Sequence, residues 1–197
     1  MEFWEIAGKT LEFDEEDHVY IYEGVIIPSI TQILKVRFGG KYQSVDRDTL
    51  QRAADRGTAI HKAIERYCKE YEEDESQELR NFKFLMRLHG FRVFESETPV
   101  ILHRDGEPIA AGRLDLVLDA RDTVGIADIK TTSSLDKEYL AFQLNLYRIA
   151  YMQSYGVNVG ALYGIHLKED KRKVVEIPIN EALAWQIVDE YERGNFN

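Results

Sequence analysis

The chain is poor in cysteine. Cys68 is the one cysteine in 197 residues, so no internal disulfide can form, and a Cys-only zinc site or an iron–sulfur cluster cannot be held within one chain. A reducing cytoplasm is the expected setting. Long apolar runs are missing too. Nothing approaches the ~20 residues needed to span a bilayer, and no membrane partner is expected. The opening residues Met1-Glu2-Phe3-Trp4-Glu5 are acidic and do not have the basic start of a signal peptide. Positive charge is in deficit: 25 Lys and Arg stand against 35 Asp and Glu, a net charge of −10. That balance excludes a protein that coats nucleic acid through bulk charge. There is no internal repeat and no low-complexity tract. The acidic run at residues 70–75 comes nearest, and it reads as a frayed helix end or a loop.

What is there is a globular composition, 44% hydrophobic and 30% charged. The length suits a single domain with a sizeable core. Residues 1–50 read as an N-terminal β-meander and helix, and residues 51–197 as the main core. The charge deficit is uneven. Between Lys35 and Arg66 eight basic side chains face four acidic ones. A local basic surface in an acidic body and an ordinary mixed surface both fit.

Two stretches organise the rest. Residues 111–119 and 125–130 read as strands joined by a short hairpin turn, rich in branched apolar residues. Alternation puts Leu114, Leu116 and Leu118 on one face and Arg113, Asp115 and Val117 on the other. Asp128 and Lys130 share a face of the second strand, which brings Asp115 near Asp128. Two carboxylates and an ammonium on apolar strands are costly to desolvate. A divalent cation between the carboxylates offsets that cost; a solvated face with a Lys–Asp pair avoids it. Asp128-x-Lys130 alone is weak, since Glu169-Asp170-Lys171 repeats the pattern at a charged tip.

The remaining elements follow in order. Residues 10–13, 18–22 and 25–27 alternate as a small antiparallel meander, and Ser29 is placed to cap a short helix through residue 34. Residues 55–71 form a helix by apolar periodicity, with Thr58 as its cap. His61 and Glu65 share a face there. The positive end of the helix would keep His61 neutral, as a metal requires; a single histidine at a helix start is more often a capping or packing residue. Residues 78–88 read as a second helix stopped by Gly90, and residues 91–102 as a strand with Glu95 and Glu97 on one face. A long helix over residues 136–155 starts at a Ser133/Asp136 capping box. It carries Gln143 and Tyr147 on one face, as strand contacts or as a half-buried polar pair. A hairpin, with strands at 157–167 and 174–179, and a closing helix capped by Asn180 complete the chain.

The order Gly57-x-x-x-His61, Gly112-x-x-Asp115, Asp128-Ile129-Lys130, Gln143-x-x-x-Tyr147 resembles the RecB-like branch of the PD-(D/E)xK nucleases. Within it, the small phage-type exonucleases are similar, including His18-x-Tyr20 and Pro28-Ser29-Ile30-Thr31-Gln32-Ile33-Leu34 near the start. Leu114 stands where the name-giving proline would precede Asp115. The resemblance implies an α/β (α+β) restriction-endonuclease-like core, with a central mixed sheet flanked by helices. It implies a metal-dependent DNA exonuclease that leaves 5′-phosphates, in phage recombination or DNA processing in the host cytoplasm. A structure-specific endonuclease, or a non-catalytic nucleic-acid-binding protein that kept the fold, is the alternative.

By the same resemblance His61, Asp115, Asp128 and the backbone carbonyl of Ile129 would hold one or two Mg²⁺ or Mn²⁺ ions, with Glu65 as a further candidate through a water. Lys130 would orient the attacking water and stabilise the transition state. Gln143 and Tyr147 would position the strand. Arg52, Arg56, Lys62 and Arg66 are the candidate DNA track. Partners implied are DNA and a single-strand-annealing recombinase or another replication or recombination protein. A homo-oligomer is compatible with the resemblance.

Overall fold

A computed structural model describes residues 1–41 and 46–195. The elements are β1 (Glu2–Ile6), β2 (Lys9–Asp14), β3 (Val19–Tyr22), β4 (Val25–Ile27), α1 (Ile30–Phe38), α2 (Arg47–Glu70), α3 (Gln77–His89), β5 (Phe91–Arg104), β6 (Glu107–Ala120), β7 (Val124–Lys130), α4 (Lys137–Tyr155), β8 (Ala161–Leu167), β9 (Arg172–Ile177) and α5 (Glu181–Asn195). The first four strands form an antiparallel sheet in sequence order, and the last five form a second sheet, also in sequence order. In that second sheet β7 and β8 run parallel and the other neighbours antiparallel. The expected mixed sheet flanked by helices, with an N-terminal meander, is the observed architecture.

Two apolar layers cover the mixed sheet. On one side α1, α4 and α5 pack Leu34, Leu144, Leu146 and Ile187 against Val117, Ile126 and Leu162. On the other, Ile60 and Ile64 of α2 and Phe82 and Leu85 of α3 pack against Leu116, Leu118, Ala127 and Ile165. A third cluster joins Leu11, Phe13 and Tyr20 of the small sheet to Ile101 and Ala111 of the β5–β6 hairpin.

Local chemistry sets several boundaries. Glu23 (φ 49°) and Gly24 (φ 81°) are both left-handed, as a two-residue turn between twisted strands requires. Ser29 caps α1 in a full capping box with Gln32. β1 extends the expected meander by a strand that the reading did not include, because its apolar Phe3 faces solvent.

Three expectations need correction. α2 begins at Arg47, two turns before residue 55, and its cap is Asp46, which accepts the Thr49 N–H at 3.0 Å; Thr58 lies inside the helix. The early turns are exposed and polar, so apolar periodicity could not reveal them. α4 is capped by Asp136 itself, which accepts the Tyr139 N–H at 3.0 Å, rather than by Ser133. Finally, Leu114 packs in the α1/α4/α5 layer, whereas Leu116 and Leu118 pack beneath α2 and α3. Pairing of β6 with β7 ends at Leu116↔Ala127. Beyond that point β6 bends towards the small sheet, and strict alternation no longer holds.

Candidate active site

The end of the β6–β7 ladder creates the site. Carried one step on, the register would set Asp128 opposite Asp115, but the backbone ladder stops short and its place is taken by the side chain of Asp115. Its Oδ2 accepts the Ile129 N–H at 2.6 Å. One carboxylate oxygen thus replaces a ladder bond, and the other, Oδ1, lies 3.5 Å from His61 Nδ1. His61 arrives from α2, which crosses the end of β7 at Gly57. A Cβ on Gly57 would stand 3.1 Å from Thr131 Oγ1, so the glycine lets the helix pass close to the end of the strand. One turn on, His61 Nε2 lies 3.1 Å from the Ile129 carbonyl oxygen. With Nε2–H donating to that carbonyl, Nδ1 is the nitrogen turned towards the carboxylates. A backbone carbonyl holding one ring nitrogen is the usual way a metal-binding histidine is oriented.

Glu97 joins them from β5. Its Oε1 is 3.8 Å from His61 Nδ1 and its Oε2 is 2.9 Å from Arg113 Nε. Glu97 has φ 52° inside a strand, a conformation costly for a residue with a Cβ and concentrated at functional sites. His61, Glu97 and Asp115 each offer a ligand atom within 4.8 Å of the others. They line a cavity of about 300 Å³ with Gly57, Lys62, Glu65 and Arg113.

Asp128 and Lys130 lie alongside on β7. Lys130 Nζ is 2.7 Å from Asp128 Oδ2. Asp128 Oδ2 is a buried atom, and the Lys130 ammonium is the charge that stands against it. Asp128 is 4% exposed, so this is not the solvated face that was one option. Asp128 stands outside the three-residue group but close enough to act on Asp115 electrostatically.

The charges interact strongly. Burial pushes Asp115 up to about 7; His61 opposes that rise, and Asp128 and Glu97 add to it. Asp115 in turn drives His61 up to about 9 against the opposing effect of burial, with help from Glu97 and Asp128. Without a metal His61 is therefore imidazolium at neutral pH. This corrects the expectation of a neutral ring at a helix start, since α2 begins fourteen residues earlier, at Arg47. Burial also opposes the Lys130 ammonium, but Asp128 and Asp115 outweigh it and hold Lys130 above its ordinary value.

The other expected site residues fall into two groups. Gln143 and Tyr147 are buried, at 4% and 5% exposure, so they are not a half-buried pair. Gln143 Oε1 has no hydrogen-bond partner among the described residues. Tyr147 packs on Gly112: a Cβ there would meet Tyr147 Cε1 at 2.9 Å. The glycine of Gly112-x-x-Asp115 is thus explained by the tyrosine of α4. The basic residues are dispersed in role. Arg56 bridges Glu78 at 2.5 Å and Glu169 at 3.2 Å, Arg66 faces Glu72 at 3.6 Å, and Arg52 reaches Thr49 at 3.4 Å. Lys62 borders the cavity. Residues 42–45 of the basic segment lie outside the described residues. Glu65 also borders the cavity, but it accepts from Lys69 at 2.7 Å.

A family model for the PD-(D/E)XK nuclease superfamily matches residues 83–193. The chain belongs to that superfamily. The matched range of this PD-(D/E)XK chain holds Glu97, Asp115, Asp128, Lys130, Gln143 and Tyr147; His61 and the rest of α2 precede it. Among solved structures, SSO0001 is 14% identical with a TM-score of 0.47, covering 84% of this chain and 74% of that one. An alkaline exonuclease (LHK-Exo) from Laribacter hongkongensis is 14% identical with a TM-score of 0.46, covering 85% and 84%. No curated protein matches the sequence. Membership supports nuclease activity with DNA as substrate. PD-(D/E)XK nucleases use divalent metals, and the donor set here fits one: carboxylate oxygens with an oriented imidazole, beside the buried Asp128 carboxylate. No helix among the described residues is long and apolar enough to cross a membrane.

Proposed function

We propose that this chain is a Mg²⁺- or Mn²⁺-dependent DNA exonuclease that leaves 5′-phosphates and serves phage recombination or DNA processing. All 197 residues act as one nuclease domain. The observation that supports this reading best is the meeting of His61, Glu97 and Asp115 from three separate elements, with the Lys130–Asp128 pair beside them.

His61 Nδ1, Glu97 and Asp115 would hold the ion, with Asp128 as a further oxygen donor, while the Ile129 carbonyl would orient the ring from Nε2. When bound there, such an ion would lower the pKa of a water and offset charge on the phosphate. The chain's own residues do the rest. His61 gives up its proton before it can ligate. Lys130, kept charged by Asp128 and Asp115, orients the attacking water and stabilises the charge that develops on the phosphoryl oxygens. Asp115 keeps one oxygen on the Ile129 amide and turns the other into the cavity. In-line attack by the water then expels the 3′-oxygen and leaves a 5′-phosphate. Gln143 would position the strand by donating from its amide N–H groups, and Tyr147 supports the Gly112–Asp115 segment from behind.

The test is a duplex labelled at one end, with free or blocked 5′ and 3′ ends, followed over time with Mn²⁺ and with EDTA. The reading expects nucleotides released progressively from free ends with Mn²⁺ and none with EDTA. Cleavage of closed circles would instead mark an endonuclease. Absence of any cleavage would leave a protein that kept the fold without the chemistry.

A further inference from the structure

Arg113 lines the metal cavity, and the reaction above gives it no part. Its guanidinium spans two carboxylates. Nε is 2.9 Å from Glu97 Oε2, and Nη1 is 3.0 Å from each oxygen of Glu2. Its Cζ also sits 5.8 Å from the centre of the Phe13 ring. Glu2 and Phe13 belong to β1 and β2 of the small sheet, while Glu97 belongs to β5 of the large one. One side chain therefore ties the N-terminal sheet to the cluster.

Glu97 needs such a tie. Its backbone is left-handed inside a strand, and its two oxygens are divided, Oε2 to Arg113 and Oε1 towards His61. We infer that Arg113 is a positioning residue: it holds Glu97 so that a single carboxylate oxygen faces the ion, and the N-terminal sheet, through Glu2, holds Arg113 in turn. This rests on the reading of Glu97 as a ligand. Arginine suits the task because its planar fork can serve two carboxylates at fixed angles, whereas a lysine offers a point charge to one. The small sheet is thereby part of the catalytic apparatus.

The experiment is calorimetric titration with Mn²⁺, without DNA, of the full chain and of Arg113→Gln, Glu2→Gln, Glu97→Gln and the Arg113→Gln/Glu97→Gln double variant. Loss of an outer partner of a ligand typically weakens metal binding about 10-fold. Arg113→Gln is expected to do so, and Glu2→Gln to weaken binding less. The double variant should bind no more weakly than Glu97→Gln alone, because both changes act through one carboxylate. Cleavage should show a raised Mn²⁺ half-saturation with kcat restored at saturating Mn²⁺. Unchanged Mn²⁺ affinity in Arg113→Gln, or additive losses in the double variant, overturns the inference while the nuclease reading stands. A kcat that stays low at saturating Mn²⁺ also overturns it, by assigning Arg113 to the substrate. If Arg113→Gln fails to fold, Glu2→Gln decides the question alone, from outside the cavity. If the unaltered chain binds no Mn²⁺, the nuclease reading falls first and this inference with it.

Discussion

The Asp115 carboxylate takes the Ile129 N–H at 2.6 Å, at the point where β6 and β7 stop pairing. A side chain completes a ladder that the backbone abandons. The residue that terminates the sheet is also the one that faces His61, so fold and site share a hinge. Asp115→Asn keeps an acceptor for the amide but removes the charge. It should melt at or above the unaltered temperature and cleave at least ~10²-fold more slowly, the usual cost of losing an electrostatic group at the reacting centre. Asp115→Ala leaves the amide unpaired and should also lose about 1–3 kcal/mol of stability. Thermal melts and cleavage rates on both variants check this.

Lys130 stands 2.7 Å from Asp128 and outside the three-residue cluster. Lys130→Ala should therefore retain Mn²⁺ binding while cleavage falls at least ~10²-fold. Retained cleavage would remove Lys130 from the mechanism.

His61 at about 9 and Asp115 at about 7 both lie above their ordinary values of 6.5 and 3.8. The folded, metal-free chain therefore binds more protons than the unfolded chain. Stability must then fall as pH rises, between 3.8 and about 7 for Asp115 and between 6.5 and about 9 for His61. The two groups titrate as a pair. A divalent ion replaces these protons, so its stabilising effect should grow across the same window. Melting temperatures with EDTA and with Mn²⁺, taken from pH 6 to pH 9, should diverge as pH rises. A constant difference would contradict the assignment of His61 as a ligand.

Gly112 leaves no room for a side chain against Tyr147, with 2.9 Å between an added Cβ and Cε1. Gly112→Ala should cost about 1–3 kcal/mol, as overpacking does, and should slow cleavage by displacing Asp115. Tyr147→Leu in the same chain should recover part of both losses. Melts and rates of the double variant read this directly.

Arg56 serves Glu78, whose side chain is only 7% exposed. Arg56→Ala should therefore destabilise the protein by about 1–3 kcal/mol by leaving a buried acceptor unpaired. It should leave the salt dependence of DNA binding almost unchanged, whereas Lys62→Ala, at the cavity rim, should reduce that slope. Binding to an oligonucleotide over a range of salt separates the two.

Much of this was legible in the sequence where a periodic or paired signal exists. The β6–β7 hairpin, α4 and the closing helix follow from alternation, caps and glycine stops. Asp115, Asp128, Lys130 and His61 emerge from their order along the chain. Other features leave no local trace. The first turns of α2 carry Leu50 but no repeating apolar stripe, so their helicity leans on the Asp46 cap and on i,i+4 pairs such as Gln51–Asp55. Glu97 was visible only as a strand carboxylate, because its left-handed φ is imposed by the surrounding fold. The basic segment looked uniform, yet Arg56 is claimed by carboxylates from α3 and from the β8–β9 tip, over a hundred residues away in the second case. Arg113 meets Glu2 across almost the same separation.

The most direct measurement is anomalous scattering from crystals of the protein soaked in Mn²⁺. The account expects an ion within about 2.3 Å of His61 Nδ1 and of oxygens from Glu97 and Asp115, with Lys130 still beside Asp128. An ion bound elsewhere, or Asp115 and His61 turned apart with no ion between them, would contradict it.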